Sequence, residues 1–165
     1  MSRAVREYHY RVDREGRVFH DGTEVVDAAT LRFFLLAMKR TEDGRHLVLC
    51  QGEQNWFEAE DTPFVVVRLH LTLDGDCLRA VQLGFAGEYR EPLDPDGLEA
   101  EADRLYCRVR GGAFRARFGR AAMQQISPFL GEADGGLALV LGGARHPIRA
   151  VTSARTMSLA PPGAS

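Results

Sequence analysis

The chain is poor in lysine and tryptophan, and it has no motif built on cysteine. Lys39 is the one lysine among 21 basic residues, and the others are all arginine. Cys50, Cys77 and Cys107 are too widely spaced for a C-x-x-C metal or redox motif. Their odd number and apolar neighbours are typical of free thiols in a reducing compartment. We therefore expect neither a metal site nor a disulfide framework.

Long apolar runs and an excess of charge are also missing. No run approaches the ~20 apolar residues of a membrane span, and the charged residues 1–7 do not resemble a secretory signal. These features predict a cytoplasmic protein without a membrane segment. The net charge of −2 at pH 7 argues against electrostatic binding of nucleic acid or anionic lipid by the protein as a whole.

The size and pattern of the chain are those of a small α+β protein. Its 165 residues, 45% of them apolar, are enough for one sizeable core. Short alternating segments separated by Asp-Gly and Gly-Gly turns predict antiparallel strands. We expect two β-rich halves, residues 1–86 and residues 87–151, each with one packed helix. Residues 152–165, which are rich in Ser, Ala and Pro, are predicted to be a disordered tail.

Two segments have a helical pattern. Residues 27–40 repeat apolar side chains at i, i+3, i+4 and i+7 after Asp27, a good N-cap residue. Residues 120–130 predict a second helix with Ala122 and Ile126 facing inward. Packing against a sheet explains both apolar faces.

The remaining periodic segments predict strands. They cover residues 7–12, 17–20, 46–51, 55–59, 64–73, 77–85, 105–110, 114–118, 137–141 and 147–151. The strand at 64–73 begins with a continuously apolar run, so we expect both of its faces to be covered, and it forms a central hairpin with 77–85. A proline-containing loop at 84–97 separates the halves, and the acidic residues 99–103 suggest one helical turn.

The most distinctive stretch is residues 53–71, which joins the only tryptophan to an acidic turn closed by proline. On a strand, Asn55 lies on one face, and Trp56 and Glu60 lie on the other. Trp56 could wall a ligand pocket, while Glu60 and Asp61 could share a proton or serve as an acid/base group. An architectural turn explains the same residues, because Asp and Pro are standard turn residues.

Six arginines crowd into seventeen residues later in the chain. Alternation places Arg108 and Arg110 on one face of a strand, and Arg115 and Arg117 on one face of its expected partner. Four converging guanidinium groups would suit a phosphate, a carboxylate ligand or a short RNA strand. Tyr106 is the one aromatic on that face, which is little for stacking the bases of a single strand. A solvated sheet face, neutralised by the acidic residues at 99–103, explains the same pattern.

Several of these stretches together resemble a known family. They are residues 10–13, 19–22 and 41–45, the Asn-Trp-Phe and Glu-Asp-Thr-Pro-Phe corner at 53–65, and Leu105-Tyr106 leading into residues 120–122. They resemble bacterial proteins catalogued as a domain of unknown function with two small β-rich halves, and similarly an uncharacterised family whose animal members are mitochondrial. The resemblance covers about residues 7–148 and implies an α+β fold with antiparallel, roll-like halves. It implies no activity and no site residues.

Three functions remain open from the residues. The leading hypothesis is a binding module, not an enzyme, that holds a small anionic ligand or an acidic partner segment at the four arginines, beside the acidic corner. The second is an enzyme in which Glu60 or Asp61 acts as acid or base while Asn55 and Trp56 place the substrate. The third is a homodimer assembled through an exposed strand edge. The sequence does not identify a cofactor.

Overall fold

A computed structural model describes residues 4–152. Within that range the chain forms two α-helices, α1 (Ala28–Ala37) and α2 (Arg120–Ile126). Three single turns of 3₁₀ helix lie at Ala86–Glu88, Pro95–Gly97 and Ser127–Phe129. None of the helices in the described part of the chain is long and apolar enough to cross a membrane.

Strands make up most of the regular structure. The first nine are β1 (Glu7–Val12), β2 (Val18–His20), β3 (Thr23–Val25), β4 (Lys39–Arg40), β5 (His46–Cys50), β6 (Glu53–Ala59), β7 (Phe64–Val66), β8 (Arg68–Asp74) and β9 (Cys77–Gly84). The others are β10 (Arg90–Pro92), β11 (Glu99–Glu101), β12 (Arg104–Val109), β13 (Phe114–Phe118), β14 (Leu130–Ala133), β15 (Gly136–Leu141), β16 (Ala144–Pro147) and β17 (Arg149–Ala150).

These strands form four sheets among the described residues. A six-stranded sheet has the order β3-β2-β1-β6-β5-β4, and a five-stranded sheet has the order β17-β11-β12-β13-β7. Two three-stranded sheets have the orders β10-β9-β8 and β14-β15-β16. Most pairs are antiparallel, but β1–β6, β13–β7 and β11–β17 are parallel. The α+β class is thereby confirmed, while the roll-like form of the halves stays a prediction.

One hydrophobic cluster extends through both predicted halves. It contains Val12 and Phe64 from the first and Phe118 and Ile148 from the second. Strand β7 of the first half also pairs with β13 of the second. The halves therefore share a core and a sheet, and the division at residue 86 stays a prediction.

Helix α1 begins where its sequence predicted. The Asp27 carboxylate accepts a hydrogen bond from the backbone N–H of Thr30 at 2.9 Å, as an N-cap residue does. Phe34 and Leu35 are buried against the sheet, and Met38, just beyond the helix, is only 1% exposed. Burial of this apolar face holds the short helix in place, because a helix of this length is marginal by itself.

The same helix ends earlier than predicted. It stops at Ala37 rather than near residue 40, because the next residues extend as β4 and pair with β5. The Arg110 guanidinium, far away in sequence, donates hydrogen bonds to the carbonyl oxygens of Leu35 and Met38. These bonds satisfy carbonyl groups that the helix end leaves unpaired.

The predicted long strand over residues 64–73 is wrong, because it consists of two strands in different sheets. Strand β7 pairs with β13, whereas β8 pairs with β9. Between them, the N–H of Val67 donates to the Gly84 carbonyl at 2.8 Å, and the Val66 carbonyl accepts from Gly119 at 2.9 Å. Val67 is as apolar as the three residues before it, so the hydrophobic pattern contains no sign of the change of sheet. The hairpin of β8 and β9 is present as expected.

Other differences are smaller. Residues 99–103 contain strand β11 rather than a helical turn, because their backbone pairs with β12 and with β17. Residues 147–151 are divided between β16 and β17, and the 84–97 loop includes β10. Helix α2 ends at Ile126 and continues as a 3₁₀ turn that contains Pro128. Nearly all of the predicted tail, residues 153–165, lies outside the described residues.

Candidate functional site

Two of the predicted arginines are cross-strand neighbours on one face of the five-stranded sheet. Arg108 on β12 is the cross-strand partner of Arg115 on β13, and Tyr106 is the partner of Arg117 in the same ladder. The Arg115 guanidinium lies over the Tyr106 ring, 3.6 Å from its centroid, in a cation–π contact. The alternation of β12 and β13 thus brings Arg108, Arg115 and Arg117 to one region, as the sequence predicted.

Carboxylates of β11 neutralise part of this cluster. Glu99 is only 4% exposed, and its carboxylate lies 3.4 Å from the Arg108 guanidinium, 3.6 Å from that of Arg115 and in contact with Arg149. Glu101 lies 3.4 Å from Arg115. Burial alone would raise the pKa of Glu99, but the three arginines lower it below its usual value. Arg108 and Arg115 therefore have partners within the protein, as the solvated-face interpretation predicted.

Asp61 joins the acidic corner to the arginines. The Tyr106 hydroxyl donates to Asp61 Oδ2 at 2.6 Å, and Arg117 Nη1 donates to the same oxygen at 2.8 Å. Burial, and then the bond to the Asp61 carboxylate, raise the pKa of Tyr106 to about 12, so its hydroxyl stays protonated and donates at neutral pH. The two clusters that the sequence suggested separately thus meet at one carboxylate.

The turn after Asp61 fixes this meeting point. The Thr62 hydroxyl donates to the Phe64 carbonyl at 2.6 Å and accepts from the backbone N–H of Arg117 at 3.1 Å. Phe64 in turn begins β7, which pairs with β13. The acidic turn is therefore architectural and also places one side chain beside the arginines.

Asn55 and Trp56 have different roles. Asn55 is buried, and its amide donates to the Val48 carbonyl at 3.1 Å, which makes it a structural residue of the six-stranded sheet. Trp56 is half-buried, and the Arg45 guanidinium stacks 3.8 Å from its ring centroid. A cavity of about 370 Å³ next to Trp56 is also lined by Asp61, so Trp56 does wall a cavity.

Arg110 does not belong to the arginine cluster, and its predicted place beside Arg108 is wrong. Its φ is 51°, so the backbone turns at the end of β12 and the alternation stops there. Its backbone N–H donates to the Glu91 carboxylate at 3.0 Å, and its guanidinium donates to carbonyl oxygens at the C-terminal end of α1. Arg110 is therefore a structural residue.

Glu60 and Asp61 do not face one cavity. Glu60 is partly exposed and lies 3.6 Å from Arg11 and 3.9 Å from Arg14, whereas Asp61 points to Tyr106 and Arg117. Within residues 4–152, no three His, Cys, Asp or Glu side chains converge as a metal-binding group.

A cavity with a charged lining lies beside Arg117. We call it the arginine cleft, since Arg14, Arg104, Arg117 and Arg120 line its volume of about 660 Å³. Glu15 and Asp103 are the carboxylates in its wall. The Glu15 carboxylate is already engaged, because it accepts from the backbone N–H of Arg120 at 3.0 Å. Three of the four arginines are also paired, Arg14 with Glu60, Arg104 with Glu101 and Arg117 with Asp61. Arg120 is the one lining arginine without an ion pair among the described residues.

Sequence reasoning missed most of this cleft. Arg14 lies in the turn between β1 and β2, and Arg120 opens α2, so no local spacing connects them with Arg117. Arg104 and Arg120 belong to the crowded arginine stretch, which is the one signal that could have suggested them. Only the folded chain brings Arg14 to the same place.

No family model matches the chain, and no curated protein matches it either. Among solved structures, a DUF1285 family protein from Silicibacter pomeroyi DSS-3 is 20% identical, with a TM-score of 0.64 over 94% of this chain and 87% of that chain. A DUF1285 family protein from Shewanella baltica OS155 is 14% identical, with a TM-score of 0.56 over 72% of this chain and 90% of that chain. Neither is an animal mitochondrial protein, so that part of the resemblance stays a prediction. The chain thus has the fold of these two bacterial DUF1285 proteins.

Proposed function

We propose that this protein is a binding module for a small anionic ligand, which it holds in the arginine cleft. The observation that carries the proposal is that arginines from four different elements line one cleft of about 660 Å³, and that one of them, Arg120, has no ion-pair partner among the described residues. Cavities of roughly 300–1,000 Å³ are typical of small-molecule sites. An acidic segment of a partner protein would use the same residues, but the size of the cleft favours a small ligand.

The arginines of the cleft, and Arg120 above all, explain the choice of an anion. Arginine stays protonated at every physiological pH, and its guanidinium matches the oxygens of phosphate and carboxylate groups. Of the two carboxylates in the wall, Glu15 already accepts a backbone hydrogen bond from α2. Within the described chain, the Arg120 side chain makes no ion pair. Arg120 is therefore available for a ligand.

The proposal is tested by ligand-induced thermal stabilisation. Millimolar pyrophosphate or citrate should raise the melting temperature of the wild-type protein by roughly 2–5 °C, because a ligand that binds only the folded state stabilises it by mass action. Arg120→Ala should remove most of that shift, since it deletes a cleft cation without breaking an ion pair among the described residues.

Arg79→Ala is the matched control for this experiment. Arg79 lies on β9, pairs with Asp74, is half-exposed and does not line the cleft. Its loss therefore removes one positive charge outside the proposed site. It should leave the ligand-induced shift unchanged. Equal loss of the shift in both variants would indicate a general charge effect and would overturn the proposal.

The other two hypotheses receive no specific support from the geometry. Acid/base catalysis by Glu60 and Asp61 required both groups to line one pocket, and they point to different arginines. A homodimer through a strand edge and a cytoplasmic location both stay predictions.

A further inference from the structure

We infer that Tyr106, acting through Asp61, positions Arg117 so that the free edge of its guanidinium presents Nε and Nη2 to the arginine cleft and binds a ligand oxyanion through two oxygens. The inference rests on the proposed function and deepens it, because it names the recognised group as a phosphate or carboxylate. Tyr106 is thus a positioning residue that does not itself touch the ligand.

The first support is the geometry at Asp61. Tyr106 and Arg117 both donate to the same oxygen, Asp61 Oδ2, at 2.6 and 2.8 Å. Tyr106 is completely buried, and the side chains of Asp61 and Arg117 are 18% and 17% exposed. A carboxylate held on one side by a buried hydroxyl cannot rotate freely. The same oxygen therefore also fixes the position of the Arg117 guanidinium.

The second support is what Arg117 leaves free. Only Nη1 is bound to Asp61, and within residues 4–152 neither Nε nor Nη2 of Arg117 makes a hydrogen bond. These two atoms are not sealed from solvent, because the one fully buried side-chain polar atom without a hydrogen bond in that range is Glu99 Oε1. The residue lines the cleft. Its Nε–Nη2 edge is the fork that matches two oxygens of a carboxylate or phosphate.

The third support is that the backbone and neighbours of Arg117 are also held. Its N–H donates to the Thr62 hydroxyl, and its cross-strand partner in the sheet is Tyr106 itself. The Arg115 guanidinium covers the Tyr106 ring, which keeps the ring in place. Because Arg117 is already held in place, its side chain loses less conformational entropy when a ligand binds.

The test is the variant Tyr106→Phe, which keeps the ring under Arg115 and removes only the hydroxyl. Titration calorimetry with pyrophosphate and, separately, with citrate should show binding weakened by roughly fivefold to tenfold relative to wild type, the size expected for loss of one orienting hydrogen bond. A larger loss for pyrophosphate than for citrate identifies the group as phosphate, and the reverse identifies a carboxylate.

A double-mutant cycle separates positioning from general loosening. Arg117→Lys keeps the positive charge but lacks the fork, so Tyr106→Phe should change the affinity by less than about twofold in that background. If the hydroxyl merely supports the fold, the same fivefold loss should occur in both backgrounds, and the inference is overturned. If Tyr106→Phe does not fold, Asp61→Asn is carried through the same cycle.

The outcomes also distinguish this inference from the proposed function. Absence of binding by the wild-type protein would overturn both. Binding by wild type that Tyr106→Phe and Asp61→Asn leave unchanged would overturn the role of Tyr106 alone and leave the arginine cleft as an anion site.

Discussion

At the scale of single residues, the three cysteines lie in different environments. Cys107 is fully buried on β12, and burial raises the pKa of its thiol far above the ordinary value. Cys77 is exposed at the start of β9, and Cys50 is intermediate. Because the thiolate is the reactive form, both the buried position and the raised pKa protect Cys107.

We predict that one thiol reacts quickly and one does not react in the native protein. At pH 8, Ellman's reagent should modify Cys77 within minutes and Cys107 only after unfolding in guanidinium. Cys77→Ser should remove the fast phase and serves as the control. Fast modification of Cys107 in the folded protein would contradict its buried position.

For Asp61 and Arg117, the sequence predicted the residues but not the contact between them. The sequence suggested both, because Asp-Thr-Pro marks a turn and alternation orders the arginines. Their hydrogen bond joins residues far apart in the chain, and no local pattern encodes it. Arg110 fits the same alternation but turns away, since its positive φ becomes visible only once the β12–β13 turn has formed.

At the scale of elements, the contact between α1 and the 3₁₀ turn Ala86–Glu88 depends on a glycine. Gly87 has a φ of 71°, and a Cβ built there would lie 2.4 Å from the backbone nitrogen of Arg32 and 2.6 Å from the carbonyl oxygen of Ala28. Both contacts are far shorter than real Cβ atoms make. Only a residue without a side chain allows this approach.

We predict that Gly87→Ala lowers the free energy of unfolding by about 3 kcal/mol or more, because the helix and the turn must separate. Gly75→Ala is a matched control, since Gly75 also has a positive φ, of 61°, but open space around its Cβ position. It should cost only about 1 kcal/mol. Urea denaturation measures both, and equal losses would show that backbone conformation alone, rather than the close approach, sets the cost.

The two ends of α1 explain why its start was predictable and its end was not. The N-cap bond joins Asp27 to Thr30, three residues away, so it can be read from the sequence. The last carbonyls of the helix are satisfied by Arg110 from another sheet, and β4 is stabilised by pairing with β5. Tertiary contacts thus override the apolar periodicity that continued to Met38.

At the scale of the whole molecule, two buried carboxylates connect stability to pH. Burial alone would raise the pKa of Asp13 and Glu99, but hydrogen bonds from Arg17 to Asp13, and the arginines around Glu99, lower both below their ordinary values. A lowered pKa in the folded state contributes stability that is fully present above the unfolded pKa, which is about 4, and is lost as pH falls through the folded pKa.

We therefore predict that the free energy of unfolding falls as the pH decreases from about 5 towards 2. Glu99→Gln removes one titrating group, so the variant should be less stable than wild type at pH 7 and its stability should fall less steeply in acid. Urea denaturation at several pH values measures both curves. Parallel curves for the variant and the wild type would show that Glu99 is not among the groups that link stability to pH.

The parallel pairing of β7 with β13 has a consequence for how the protein forms. The register places Phe64 beside Ala116, about fifty residues later in the chain, and such distant pairings close slowly because the loop between them must be ordered first. During synthesis, β7 emerges from the ribosome before β13 does. Its three apolar residues, all buried in the finished protein, remain without their partner strand for that interval. The nascent chain is thus open to aggregation, and to chaperones, between the emergence of β7 and the emergence of β13 from the ribosome.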